Sequence, residues 1–168
     1  MSGRRFVPFL ALTLTCAVAH AQTINPVAPE KGAYSVGFSA EFDRTQGFSL
    51  ESTFFVTPTY FATDNLELRV PLGFAQTIGP EEVIWGLGFH WHFVKKKRLD
   101  PFVGAVYEHA SNGNAREDLT AALAGLNYFV ANNVAITGTL TVGSDRNNIS
   151  QGTSTSLNWG FTIFFSGK

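Results

Sequence analysis

The chain has 168 residues with 12 Lys and Arg against 13 Asp and Glu, a formal net charge of −1, so one domain is the natural count and no basic excess points to nucleic acid. Sixteen Phe and sixteen Gly beside a single Met suit strands that carry rings on one face and glycine on a crowded other, and do not suit a helical enzyme. No run of 18 apolar residues occurs, which excludes membrane-spanning helices.

At the N-terminus, Arg4 and Arg5 precede an apolar run over residues 6–18 that closes in Ala19-His20-Ala21. A charged start, an apolar middle and an A-x-A site are the order of a secretory signal peptide, and the run is shorter than the roughly 20 residues a spanning helix needs. The expected division is a signal peptide over 1–21 and one domain over 22–168, beginning at Gln22. Losing Arg4 and Arg5 leaves ten basic and thirteen acidic side chains, a charge of −3. The only cysteine, Cys16, falls in the removed segment, and Thr13 stands where a lipoprotein signal wants leucine, so the mature chain has no thiol or disulfide.

Beyond the signal, alternation of period two dominates. The first run, 34–42, sets Tyr34, Val36, Phe38, Ala40 and Phe42 against Ser35, Gly37, Ser39 and Glu41. A second, 48–60, sets Phe54, Val56 and Tyr60 against Glu51, Thr53 and Thr57, with Phe55 as the exception. The third, 66–75, opposes Leu66, Leu68, Val70, Leu72 and Phe74 to Glu67, Arg69, Gly73 and Ala75. The fourth, 83–93, is the cleanest, with Trp85, Leu87, Phe89, Trp91 and Phe93 facing away from Gly86, Gly88, His90 and His92. In the fifth, 102–110, placing Glu108 inside puts Val103, Ala105 and Tyr107 outside. The sixth is 120–128, the seventh 134–142 with Thr137, Thr139 and Thr141 inside, and the eighth 153–165 with Leu157, Trp159, Phe161, Ile163 and Phe165 on one face. Runs of this length match the roughly 9 to 11 residues a tilted strand needs to cross a bilayer.

Tyr60-Phe61-Ala62-Thr63-Asp64-Asn65-Leu66 returns in pattern as Tyr128-Phe129-Val130-Ala131-Asn132-Asn133-Val134. Both copies fall at tight turns, joining strands two to three and six to seven, which open to the same side of an up-and-down barrel. The expected fold is thus all-β, an eight-stranded antiparallel up-and-down transmembrane β-barrel. These turns belong to the periplasmic side, with Tyr34, Tyr60, Phe93, Tyr128 and Phe165 as an aromatic girdle. Polar connections over 43–47, 77–82, 111–118 and 144–152 belong to the other side, and Lys95-Lys96-Lys97-Arg98 reads as a solvated turn. A soluble barrel or sandwich would turn its apolar face inward. Here the charged residues share the narrow face, and so many exposed rings would aggregate in water.

The interior then holds Glu41, Glu51, Glu67, Arg69, His90, His92 and Glu108, which can satisfy one another as a lumen plug. His90 and His92 share one inner face and suggest metal ligands, but no third ligand is marked by spacing, so the plug is preferred and no metal or cofactor is expected. Phosphate-loop, zinc-protease and nucleophile-elbow motifs do not occur.

Near the C-terminus, Asn158-Trp159-Gly160-Phe161-Thr162-Ile163-Phe164-Phe165 resembles the assembly signal of outer-membrane barrels, carried by Asn158, Gly160, Ile163 and Phe165. With the Tyr-Phe turns, the chain resembles the small outer-membrane β-barrel proteins of OmpX/OmpW type along nearly its whole length, departing in the trailing Ser166-Gly167-Lys168. The resemblance implies outer-membrane lipid and the barrel-assembly machinery as partners, no nucleic acid, and a non-enzymatic envelope structural or surface-interaction role, with a narrow conduit for small solutes as an alternative. Fold does not choose among such roles. Separately, Glu108-His109-Ala110-Ser111-Asn112 is similar to the His-x-Ser-Asn motif of lipid A deacylases, which implies an alternative esterase using His109 and Ser111 with Glu117 or Asp118 as the acid. It ends the fifth strand rather than the seventh, and the last strand holds no carboxylate.

Overall fold

The computed structural model describes residues 26, 30–43, 51–76, 82–93, 98–111, 116–147 and 151–166. The signal segment, Lys95 to Lys97, and the centres of the expected polar connections lie outside the described residues. Nine strands occur among the described residues: β1 (Tyr34–Asp43), β2 (Glu51–Phe61), β3 (Leu66–Arg69), β4 (Leu72–Gln76), β5 (Glu82–His92), β6 (Leu99–Ser111), β7 (Arg116–Ala131), β8 (Val134–Asn147) and β9 (Gln151–Phe165). β3 and β4 are one stave interrupted at Val70-Pro71, because proline has no N–H for the ladder. The register runs through unbroken, with Arg69 opposite Thr59 and Leu72 opposite Val56. Eight staves therefore form the wall.

Every pairing is antiparallel between chain neighbours, and β1 pairs with both β2 and β9, which closes the barrel. Following the residues directly opposite one another from Tyr34 leads through Tyr60, Leu68, Phe89, Ala105, Ala122 and Val142 to Thr155. Tyr34 itself pairs with Phe165, ten residues away along β9, so the shear of the barrel is ten. Over eight staves about 4.8 Å apart, that stagger tilts the strands by about 40°.

The alternation read from sequence now has a direction. Leu87, Phe89, Trp91, Trp159 and Phe161 point outward and are exposed, as are most large outward residues of the other staves. From Phe93 to Val83 the apolar face of β5 covers about 25 Å at this tilt, the height of a transmembrane barrel's apolar band. On β6 to β9 the outward apolar residues give way to His109, Thr120, Ser144 and Thr155 toward the rim opposite the tight turns. Phe89→Arg, near the middle of the band, is expected to lower stability in lipid by about 2–4 kcal/mol. Denaturant titration in vesicles measures this, and an equal effect from Arg at Thr155 would contradict the assigned depth.

Several strands run further toward the polar rim than expected. β8 runs to Asn147 and β9 starts at Gln151, while β7 begins at Arg116, so the connections expected over 144–152 and 111–118 are shorter than nine and eight residues. Cross-strand partners of Thr, Ser and Gly sustain the ladder there, as in Ser144 opposite Thr153 and Gly143 opposite Ser154. Such polar ends read as loop in a sequence. Phe55, the exception in its run, is buried in the lumen, where Gly73 makes room: a Cβ at Gly73 would lie 2.6 Å from the Phe55 ring.

A charged network above a phenylalanine floor

The lumen is closed at the rim of the tight turns by Phe61, Phe129 and Phe164, packed with Ala33 and Ala135. Phe129 and Phe164 have ring centroids 5.2 Å apart, and Phe61 lies 6.3 Å from Phe164. Each of these rings adjoins an outward aromatic in sequence: Phe61 follows Tyr60, Phe129 follows Tyr128, and Phe164 precedes Phe165. In a strand, neighbours point to opposite faces. One aromatic of each pair therefore joins the girdle and the other the floor. The expected girdle residues Tyr34, Tyr60, Phe93, Tyr128 and Phe165 are all exposed near this rim, with Tyr34 and Tyr60 in ring contact at 5.3 Å and Arg98 set 5.1 Å over the Tyr128 ring.

Directly above the floor lies a buried polar network. Glu67 on β3 faces His90 on β5 across the ladder, and His92 follows two residues on, so the period of the strands brings all three inward together. Glu67 Oε2 lies 3.0 Å from His90 Nδ1 and 3.2 Å from His92 Nε2. His92 Nδ1 lies 2.8 Å from Asp100 Oδ2. An ionised carboxylate only accepts, so both nitrogens of His92 donate and the ring is an imidazolium. Arg69 Nη1 meets His90 Nε2, which makes that nitrogen an acceptor and leaves the His90 proton on Nδ1, toward Glu67. Thr59 and Ser35 hydroxyls are 2.6 Å apart, and Ser35 Oγ donates to Glu67 Oε1 at 3.2 Å. On the other side Asn127 Nδ2 donates to Asp100 Oδ2 at 3.3 Å, and Thr137 Oγ1 donates to Asn127 Oδ1 at 2.8 Å. Phe102 covers the assembly, stacked on His90 at 4.0 Å.

Of the expected plug residues, the fold brings together Glu67, Arg69, His90 and His92. Glu108 stands higher in the lumen, where it and Arg69 line a cavity of about 80 Å³ walled by Thr139, Thr141, Ser156 and Asn158. The side chains of Glu41 and Glu51 lie outside the described residues, although their backbones pair with Thr53 and Asp43. Sequence reading missed Asp100, Asn127, Ser35 and Phe102. Parity carries the signal for Asp100, which shares the inward face with Phe102, Val106 and Glu108.

The enzyme-like cluster is built differently from expectation. His109 Nδ1 lies 2.8 Å from Asp118 Oδ1, which also accepts from Tyr107 at 2.7 Å, and Trp85 packs on the imidazole at 5.5 Å. Asp118 is the residue opposite His109 in the ladder, whereas Glu117 is opposite Ala110 and so belongs to the other face of the sheet. That register corrects Glu117 as the acid. Ser111 is two residues along β6 from His109, about 7 Å at the strand rise, and is opposite Arg116. The described contacts of His109 thus form an outward Tyr-Asp-His cluster at the polar rim and no Ser-His pair.

Asn158 and Gly160 of the expected assembly signal face the lumen, and Ile163 and Phe165 the exterior, all on the closing strand β9.

No protein-family model matches the chain, and no curated protein matches it. Solved structures do. The N-terminal β-barrel domain of Pseudomonas aeruginosa OprF aligns with a TM-score of 0.60 at 19% identity, over 80% of this chain and 98% of that one. A de novo designed transmembrane β-barrel aligns at 0.57 and 18%, over 81% and 98%. Neisserial surface protein A aligns at 0.55 and 15%, over 80% and 98%. At such identities the likeness is one of fold, and the fold that these three share with this chain is the small, closed, eight-stranded antiparallel β-barrel.

Proposed function

We propose that the chain is an outer-membrane barrel, exported by cleavage after Ala21, that acts as a sealed, non-enzymatic structural element of the envelope. The observation that carries this reading is the sealed lumen inside an apolar wall. A barrel that must face lipid outside and yet blocks its own interior with phenylalanine and paired charges is built to span without conducting. Its tight-turn rim then faces the periplasm, and the polar strand ends of β6 to β9 face outward, where a surface partner would meet them. Outer-membrane lipid and the barrel-assembly machinery are the partners this requires. The fold neighbours support an outer-membrane setting.

Reconstitution in planar bilayers tests the reading. The expected result is no large, steady conductance of porin type and no passage of sugars. A reproducible open channel would overturn the structural role in favour of a conduit. Recovery of native protein from the soluble periplasm without detergent would overturn the membrane setting itself.

A further inference from the structure

We propose that Glu67, His90 and His92 form a buried binding site for a divalent transition-metal ion of the Zn²⁺ type, with Asp100 as the group that orients His92. The inference goes beyond the structural role and does not depend on it.

One carboxylate oxygen and two imidazole nitrogens, all buried, lie within 4.8 Å of one another. Two of the three edges, Glu67 Oε2 to His90 Nδ1 at 3.0 Å and to His92 Nε2 at 3.2 Å, are near the roughly 3.3 Å that separates ligands of a tetrahedral Zn²⁺ with bonds of about 2.0–2.1 Å. The third edge, between the two imidazoles, is no longer than 4.8 Å and shortens as the ion binds. The outer shell is also in place: metal-bound histidines characteristically donate their second N–H to a carboxylate, and His92 Nδ1 does so to Asp100, itself held by Asn127. Ser35 fixes the other oxygen of Glu67. A void of about 20 Å³ bordered by Glu67, His90, Arg69 and Asn127 is large enough for one water, the remaining ligand of a tetrahedral ion.

Charge points the same way: Glu67, Asp100 and Glu108 set three carboxylates around the site against one guanidinium, Arg69, an excess of acid that a divalent cation offsets. On binding, the proton on His92 Nε2 leaves, and the proton on His90 moves from Nδ1 to Nε2. Arg69 must then swing away from His90 Nε2. It has somewhere to go, because it already lines the cavity that holds Glu108, and its Nε has no partner among the described residues. The same cavity lies on the side of the site away from the phenylalanine floor.

The test is a Co²⁺ titration of the untagged full-length mature barrel, folded in detergent and stripped with chelator, with Zn²⁺ as competitor. Visible bands of four-coordinate Co²⁺ are expected at one equivalent, bleached by Zn²⁺. His109→Ala, which removes the other histidine of the mature chain, leaves them unchanged. His92→Ala and Glu67→Gln abolish them, and Asp100→Asn weakens binding by about 10–100-fold. Arg69→Met is the distinguishing variant: removing a cation and the donor on His90 strengthens binding by about tenfold, the effect of one nearby charge. Zinc-edge X-ray absorption of the wild type, showing two imidazoles and oxygen ligands, makes the test independent of whether each variant folds. Absence of stoichiometric Co²⁺ and Zn²⁺ binding by folded wild type overturns the proposal. So does binding that survives His92→Ala in a folded barrel.

Discussion

Gly160→Val is expected to leave most of the protein unable to close its barrel. Gly160 lies on β9 opposite Ser39 of β1, in the ladder that joins the last strand to the first. A Cβ built there collides with the Phe38 carbonyl oxygen and stands 2.8 Å from both Cα and Cβ of Ser39. These obstacles are mostly main-chain atoms of the neighbouring strand, so no change of rotamer relieves them. The strands must separate at the seam, at a cost of about 3 kcal/mol or more, the upper end of what overpacking exacts. The faster gel mobility of unheated, folded barrel measures the closed fraction. Gly152→Val is the control, since a Cβ there meets nothing within 4 Å. A wild-type folded fraction for Gly160→Val would show that the seam has slack the geometry denies.

Glu67→Ala has the second large effect. Glu67 accepts from Ser35 and faces both imidazoles, so its loss strands three donors and leaves the His92 imidazolium with Asp100 as its one carboxylate. Removing one partner from a buried charged set costs about 3–5 kcal/mol, because the remaining charges are unpaired in a dry place. Thermal unfolding of the detergent-folded barrel should show a large drop in midpoint. Glu67→Gln should fall between, since its amide oxygen still accepts. An unchanged midpoint for Glu67→Ala would mean that water already solvates these groups and that the lumen is wet down to the floor.

The fold was legible because its signal is a simple period: strands with a lipid face must alternate, and in β1, β5 and β9 they do so almost without exception. Even the parity of β6 followed from one charged residue, Glu108, placed inside. Strand ends were less legible. In Ser144, Asp145, Arg146 and Asn147 the alternation has left the apolar band, and only the ladders to β7 and β9 keep the chain extended. Within the network, Glu67, Arg69, His90 and His92 could be placed on one face, but not in contact, because contact depends on the register between β3 and β5 and on the ten-residue shear. Asp100 was hidden by its neighbours, a basic turn and Pro101, which read as the edge of a loop. The floor is less legible, since Tyr60-Phe61 and Tyr128-Phe129 carry the pattern of turn markers, and their inward rings meet Phe164 only once the barrel has closed.

The floor also bears on timing. Its three rings come from β2, β7 and β9, so Phe61 and Phe129 cannot be completed as a seal until Phe164 arrives with the last strand. That strand also carries Gly160 and the closing ladder to β1. Before β9 docks, the other staves enclose an unsealed cleft. The step that turns a sheet into a barrel is therefore the same step that makes it watertight, and an insertion intermediate lacking that step would leak.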